Sequence, residues 1–452
     1  MSLSGSRLSA DSVRGFLRTY DLVFLIAFLW FMVQFLRYVF PPLFGTFQDV
    51  YGVSNTQTGL LFTLLMFGYS AMQFPGGWLS DRLHEITVIV GGAALFTGAA
   101  VFAGLAPTFG LITLAAIGIG LGTGVHKTVA IAYLSRVYPE RTGLSLGIMD
   151  TVGQFGGMLA PIAVVIVLAS VFPWGTVFLG GAVVSALLAA ALFYRAHPNK
   201  GYERRDQRPT AGTGEDVATG TANKTGEDVA TGTANKTGED VAAGTASEID
   251  TDTDSETVNE SETDDDVPSY IEIFADRKLL TFLCVTMLFT FAWNGISAFY
   301  PLFLADEKGL SPGMAGIAYS LLFAASVTQT VTGGASDTVG KLAISIPLFG
   351  VMVAGLIALL VIDSVAAILG LTLLIGIGFH GFRPVRDAYL MDLIPSSIGG
   401  GTLGIVRTGM TAIGGAAPAI IGYSSDVFGY IVAFGLIVCA LVAGGILLVA
   451  LR

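Results

Sequence analysis

Twelve stretches of this chain are each long and apolar enough to cross a lipid bilayer, and no other feature restricts its fold so severely. A helix needs about 20 apolar residues to span a hydrocarbon core about 30 Å thick. Runs of that kind occupy residues 21–46, 57–79, 86–106, 110–136, 142–170 and 175–195, then 278–304, 313–335, 341–362, 365–391, 400–423 and 427–451. In lipid only helices and closed barrels satisfy their backbone groups, and these runs are too long for barrel strands. The expected fold class is an all-α membrane protein of twelve transmembrane helices. Composition agrees, with 53% hydrophobic and 13% charged residues, against about 25% charged in soluble domains.

The net charge of −11 comes from one segment. Between Pro209 and Val267 lie 16 Asp or Glu against Lys224 and Lys236, which leaves 18 acids and 21 bases elsewhere. Nothing in that balance suggests a nucleic-acid partner. The segment repeats TGEDVATGTANK from Thr213 and Thr225, with a degenerate copy from Thr237, and ends in an Asp/Ser/Thr/Glu run from Ser247 to Asp266. Acidic, rich in glycine and free of aromatics, it cannot build a core and is expected to be disordered. Its period does not fit a calcium-binding repeat; acidity of this kind is common in salt-loaded cytoplasms and points to a haloarchaeal source. The expected division is a tail over 1–20, a six-helix bundle over 21–195, a linker over 196–269 and a second six-helix bundle over 270–452. Cys284 and Cys439 fall inside apolar runs and read as small buried hydrophobes.

Orientation follows from the bases. With the N-terminus inside, 17 of the 23 Lys and Arg fall on cytoplasmic segments, Lys308 alone is external, and five lie within runs. That asymmetry places both termini in the cytoplasm and the chain in the plasma membrane as a multi-pass protein. The first 20 residues are polar, with Arg7, Arg14 and Arg18, and lead straight into the first run without a cleavable signal.

The two halves repeat one another. QFPGGWLSDR at Gln73–Arg82 returns 256 residues later as QTVTGGASDT at Gln329–Thr338. Gly147, Ile148, Thr151, Gly157 and Pro161 of the fifth run match Gly404, Ile405, Thr408, Gly414 and Pro418 of the eleventh. Six runs plus six, joined by a long cytoplasmic linker, make parallel repeats about an axis along the membrane normal. At GGWLSDRLHE the chain resembles the signature loop of the major facilitator superfamily, Gly-x-Leu-Ala-Asp-Arg-x-Gly-Arg-Arg, and GGASDTVGK resembles its second copy. The resemblance implies two pseudo-symmetric six-helix bundles and a gating motif of Gly77, Asp81 and Arg82, echoed by Gly333, Asp337 and Lys341. It further implies that Asp81 faces a helix N-terminus of the other half and latches the outward-open state. His84 and Glu85 depart from the motif, which prefers Gly and a base there. Gly153, Gly157 and Pro161 are similar to the family's antiporter motif in the fifth span, although Ile162 stands where that motif has Gly.

Charges inside the membrane are costly, roughly 2.5–3.5 kcal/mol each on insertion scales, and need a reason. The embedded bases are Arg37, Lys127, Arg383, Arg386 and Arg407; the acids are Asp150 and Asp387, and His126 and His380 add switchable groups. The family architecture puts the first, fourth, seventh and tenth spans around a central cavity, and every embedded charge falls on those spans or their flanking neighbours. Helical spacing gathers Trp30, Gln34 and Arg37 on one face, Thr123 and Lys127 on another, and His380, Arg383 and Asp387 on a third. Asp150 and Gln154 share a stripe with Gly157 and Pro161, and its repeat counterpart is Arg407, Thr411, Gly414 and Pro418.

Lys127 and Asp150 sit at similar depth and are expected to pair, while Asp387 can satisfy one of Arg383, Arg386 or Arg407. About three bases then lack an acid, which suits an anionic small molecule as the missing countercharge. The expected binding residues are Gln34, Arg37, Lys127, Asn294, His380, Arg383 and Arg407, with Asp150 and Asp387 as the coupling or charge-pair acids. Tyr69, Gln73, Trp293 and Gln329 fit substrate contact or helix packing equally. The expected function is secondary transport by alternating access, with protons or a counter-transported ion as coupling partners and Asp150 and His380 as proton candidates. A proton-coupled multidrug exporter is the alternative, and a non-transporting membrane sensor a lesser one. No pattern of residues calls for a metal, a cofactor or enzymatic chemistry; membrane lipid is the other partner, and a monomer is expected.

Overall fold

A computed structural model of the chain describes residues 20–196, 276–393 and 408–452. The N-terminal tail, the acidic repeats and the start of the eleventh run, Arg407 included, lie outside the described residues. Among those described, ten helices are long and apolar enough to cross a membrane. The second run is built from α3 (Asn55–Ala71) and α4 (Gln73–Arg82), and the end of the eleventh from α14 (Ala417–Phe428). The remaining helices are α1 (Asp21–Tyr38), α2 (Phe40–Tyr51), α5 (Glu85–Leu105), α6 (Phe109–Val137), α7 (Thr142–Leu168) and α8 (Thr176–Ala196) in the first half. The second half has α9 (Arg277–Leu302), α10 (Pro312–Ala324), α11 (Thr328–Val339), α12 (Lys341–Val361), α13 (Val365–Leu393) and α15 (Tyr430–Ala450).

Local chemistry explains the breaks. The first span changes from α1 to α2 at Val39, just before Pro41 and Pro42, which lack the N–H groups an unbroken helix needs. Helix α3 starts in a capping box: Ser54 Oγ accepts from the Gln57 amide and Gln57 Oε1 from the Ser54 amide. The repeat position Ser311 caps α10 by accepting from Met314 N at 3.3 Å, with Pro312 in the first turn. The recurrence of Ser54 as Ser311 is thus the recurrence of a helix start.

In the first half α1 packs along α7, α5 along α6 and α3 along α6. Three pairs join the halves: α3 with α14, α7 with α10, and α2 with α9. The α3–α14 pair is so close that a Cβ on Gly59 would fall 2.3 Å from the Pro418 carbonyl oxygen, and one on Gly422 equally near that of Asn55. Small residues at such crossings let membrane helices reach van der Waals contact.

These joins cluster at one end of the bundle, marked by Asp426. There Asp426 accepts from Asn55 N (3.1 Å), Thr56 N (2.8 Å) and Thr56 Oγ1 (2.6 Å) across the halves. Tyr430 OH adds bonds to Asn55 Oδ1 (3.1 Å) and Asp306 Oδ2 (2.9 Å). Toward the opposite end, marked by Asp81, the last cross-half hydrogen bonds run from Ser70 Oγ to the Thr408 carbonyl and from Gln73 Nε2 to Thr411 Oγ1. Among the described residues the cross-half hydrogen bonds are thus densest at the Asp426 end, which they hold shut.

Both cysteines depart from expectation. Cys284 and Cys439 are exposed on the outer surface of the bundle and not buried in its core. An apolar run in a membrane protein has one face toward neighbouring helices and another toward lipid, and sequence apolarity does not tell the two apart.

Candidate functional site

Two of the embedded bases, Arg37 and Arg383, approach each other from the two halves. Arg37, only 7% exposed, leaves α1 and lays its guanidinium 4.2 Å from the Tyr69 ring centroid. It donates to Gln34 Oε1 at 3.4 Å and to Met66 Sδ at 3.3 Å, and its Nε has no partner. From the other half, the guanidinium of Arg383 on α13 sits 4.3 Å above the Trp293 ring. Trp293 Nε1 donates to Tyr38 OH at 3.3 Å, so the rings beside the two arginines join across the halves. Neither arginine forms an ion pair among the described residues. Cation–π contact offsets part of the desolvation of each, about 0.5–2 kcal/mol, and leaves the charge unneutralised.

The remaining expected residues sort into three groups. Lys127 and Asp150 pair at 3.1 Å, with side chains 32% and 40% exposed, and the ammonium lies 5.5 Å from the Trp30 ring. His380 is buried, accepts at Nδ1 from Gln329 Nε2 (3.3 Å) and sets its ring 5.1 Å from Trp293. Asp387 is held by its neighbour Arg386, whose Nη2 lies 2.7 Å from Oδ1. Asn294 is buried against the eleventh span, where a Cβ on Gly414 would meet its Nδ2 at 2.9 Å. Arg407 lies outside the described residues; the base that the structure sets with Arg37 around the Tyr38–Trp293 bond is Arg383.

The pseudo-symmetry extends further than the motifs show. Each half contains a Trp–His–cation group: Trp30 stacks on His126 at 5.7 Å beside Lys127, and Trp293 meets His380 beside Arg383. The first half neutralises its cation with Asp150, and the second leaves Arg383 charged.

The gating loops are polar and mostly exposed. Asp81 is exposed and has no ion pair among the described residues, while Arg82 stacks 3.8 Å over Trp78. Gly77 and Gly333 pack near Thr128 of α6 and Pro384 of α13, and Asp337 is exposed. Glu85, which departs from the motif, forms an ion pair with Arg136 at 2.8 Å. Lys341, 256 residues on, pairs with Asp392, 256 residues after Arg136. Each half ties its loop to the end of α6 or α13 by one ion pair, with polarity reversed between halves. The pair was present in the sequence as a double match at one shift, hidden because acid faces base.

One cavity of about 530 Å³ opens elsewhere, at the Asp426 end between α2, α7, α9 and α10. It is lined by Pro41, Gln48, Asp49, Pro301 and Asp306 among others, and by none of the embedded bases. Its carboxylates repel anions, so the chemistry points to the Arg37–Arg383 centre instead.

The Lys127–Asp150 pair yields a test of role. Asp150→Asn strands the Lys127 charge and should cost about 1–2 kcal/mol, discounted because both groups reach water in the cleft. The melting temperature in detergent should fall and recover in Lys127→Met/Asp150→Asn. A double variant that is stable yet loses dependence on a pH gradient assigns the proton to Asp150; one that retains it leaves Asp150 a charge partner only.

Known proteins resemble this chain in sequence and in fold. The model of the Major Facilitator Superfamily matches residues 26–245 and 282–452. The chain is similar to the "Probable sulfoacetate transporter SauU" of Cupriavidus necator, at 26% identity over 179 residues, 36% of this chain and 41% of that protein. It is similar to the "Multidrug resistance protein MdtL" of Escherichia coli, at 30% identity over 165 residues, 36% of this chain and 40% of that one. The alignments therefore span about two-fifths of these relatives' length. In fold it is similar to a bacterial homolog of the human lysosomal transporter Spinster in an inward-facing, occupied conformation, with a TM-score of 0.67 at 16% identity, covering 99% of this chain and 96% of that one. The repeated halves, the helices that span the membrane and this match over most of the chain establish that the protein belongs to the Major Facilitator Superfamily of membrane transporters.

Proposed function

We propose that the protein is a secondary transporter that carries a small organic anion across the plasma membrane by alternating access, as a monomer. The observation that carries this reading is the pair Arg37 and Arg383, one from each half, desolvated on aromatic rings and without an ion-pair partner among the described residues. An anion placed between them gains charge-assisted bonds from both halves at once. The similarity to a protein named as a sulfoacetate transporter supports the same class of substrate. With the Asp81 end taken as cytoplasmic from the bias of Lys and Arg, the hydrogen bonds at the Asp426 end close the outer side, as the inward-facing state of alternating access requires. An exporter of apolar drugs would want an unpaired acid in the cavity, whereas Asp150 and Asp387 are held by Lys127 and Arg386.

Purified protein in proteoliposomes, offered labelled short carboxylates, sulfonates and neutral sugars with and without a pH gradient, tests the reading. Saturable uptake of at least one anion, competed only by other anions, is the expected result. Transport of sugars or cationic drugs alone would overturn it.

A further inference from the structure

Two buried polar groups in the first half have no partner and are not used by the arginine pair. Trp30, only 3% exposed, keeps its indole Nε1–H without an acceptor, and Gln154, 7% exposed, keeps Oε1 without a donor. Buried donors and acceptors are paired in folded proteins as a rule, so orphans of both signs on two helices packed along each other need an explanation. Burial is the unusual part, because either group would be solvated at a surface.

Their placement ties them together. A Cβ on Gly153 would fall 2.0 Å from Trp30 Cδ1 and 2.4 Å from Nε1, so the absence of a side chain there lets the polar edge of the indole lie on α7. Gln154 is the next residue of that helix. It shares the stripe of Asp150 and Gly157, whose neighbours are Lys127 on one side and Phe323 on the other. Phe323 in turn packs 4.5 Å from Tyr38, at the arginine centre. Gln154 thus lies on α7 between the Lys127–Asp150 pair and the Tyr38–Trp293 bond. On α1, Trp30 and Arg37 lie on one face, and the Arg37 guanidinium reaches back to Gln34, one turn from Trp30, or about 5–6 Å along the axis.

We propose that Trp30 Nε1 and Gln154 Oε1 form a hydroxyl-reading subsite, and that the transported anion is a short hydroxy acid whose anionic group sits at Arg37 and Arg383. A hydroxyl is the group that matches one donor and one acceptor together: it accepts from the indole N–H and donates to the amide oxygen. An ammonium would satisfy Gln154 but not Trp30, and would meet Lys127 beside it. A carboxylate could accept from Trp30 Nε1 but would leave Gln154 Oε1 without a donor. This inference rests on the anion reading above and adds the recognition of a second group. A site that bonds a hydroxyl rejects the analogue lacking it, because binding the analogue leaves its own donor and acceptor buried and unpaired.

Binding of 3-hydroxybutyrate against butyrate, and of malate against succinate, to the full-length protein in detergent by calorimetry is the test, with Trp30→Phe and Gln154→Met beside the unsubstituted chain. Phe keeps the aromatic stack on His126, and Met keeps the length of Gln154, so both variants have a path to folding, checked by their melting temperature. The expected result is a preference of about 10- to 100-fold for the hydroxy acid of at least one pair, lost when either residue is replaced. Equal affinity for hydroxy acid and analogue in the unsubstituted protein, or a preference that survives both replacements, overturns the subsite and leaves the anion reading in place. If no anion binds to the unsubstituted protein, both fall.

Discussion

Asp426→Ala should swing the resting population out of the shape that is shut at the Asp426 end, by about 5- to 30-fold. The Asp426 carboxylate caps the first turn of α3 from the other half, accepting from two backbone amides and one hydroxyl. Such a cap contributes about 1–2 kcal/mol where water reaches it, as it does here, and it exists only while the Asp426 end is shut. Removing it therefore weakens one state and leaves the other untouched. A reporter cysteine at Thr46, which lines the cavity at that end, should be labelled faster by an impermeant maleimide in the variant, with Cys284 and Cys439 replaced first. Unchanged labelling would mean that helix packing alone holds this gate.

The same carboxylate carries a pH expectation. Burial pushes the Asp426 carboxyl up, but hydrogen bonds from the side chain and backbone of Thr56, and from Ser54 and Asn55, outweigh it and hold the group below the ordinary carboxylate range. Its contribution to the shut state is complete above the ordinary carboxylate value of about 3.9 and is lost only as pH falls through the lower value in the folded protein. Between about pH 5 and 8 the labelling rate of the reporter, taken relative to a freely exposed cysteine at the same pH because the thiolate is the reacting form, should not move, so pH dependence of transport in that range arises at other groups.

How much of this was legible in the sequence depends on the kind of contact. Span positions follow from apolar length alone, and the Lys127–Asp150 pair followed from equal depth on adjacent helices. Contacts between helices far apart in sequence left weaker traces. Nothing in the order of residues says that Arg383 lies over Trp293, because that contact needs the crossing of α9 and α13 and the rotamer of a long side chain. Asp426 was invisible for a related reason: it lies beyond the eleventh run, where an acid reads as a solvated helix end. The reversed pairs Glu85–Arg136 and Lys341–Asp392 were legible in principle, but a search for identity between repeats passes over acid matched with base. Ranking the embedded bases by lack of an acid does not separate Arg383 from Arg407, because it ignores the aromatic rings on which Arg37 and Arg383 rest.

Neutralising either of those arginines should weaken equilibrium binding of the transported anion by about 10- to 150-fold. A hydrogen bond to a charged group contributes about 1.5–3 kcal/mol, and each arginine is argued to supply at least one to the substrate. Arg37→Gln also frees Gln34 Oε1 and exposes the Tyr69 face, so its loss should be at least as large as that of Arg383→Gln. Lys at either position should restore only part of the affinity, since an ammonium keeps the charge but not the planar fork that lies over the ring and grips two oxygens. If the two arginines grip the same anion, the double variant should lose less than the two single losses combined, because removing one already loosens the ligand from the other. Binding in detergent at two salt concentrations separates this from a gating role. Arginines that only hold the halves in register would alter rates and accessibility and leave equilibrium affinity nearly intact, and that result in both variants would move the substrate site away from the Tyr38–Trp293 bond.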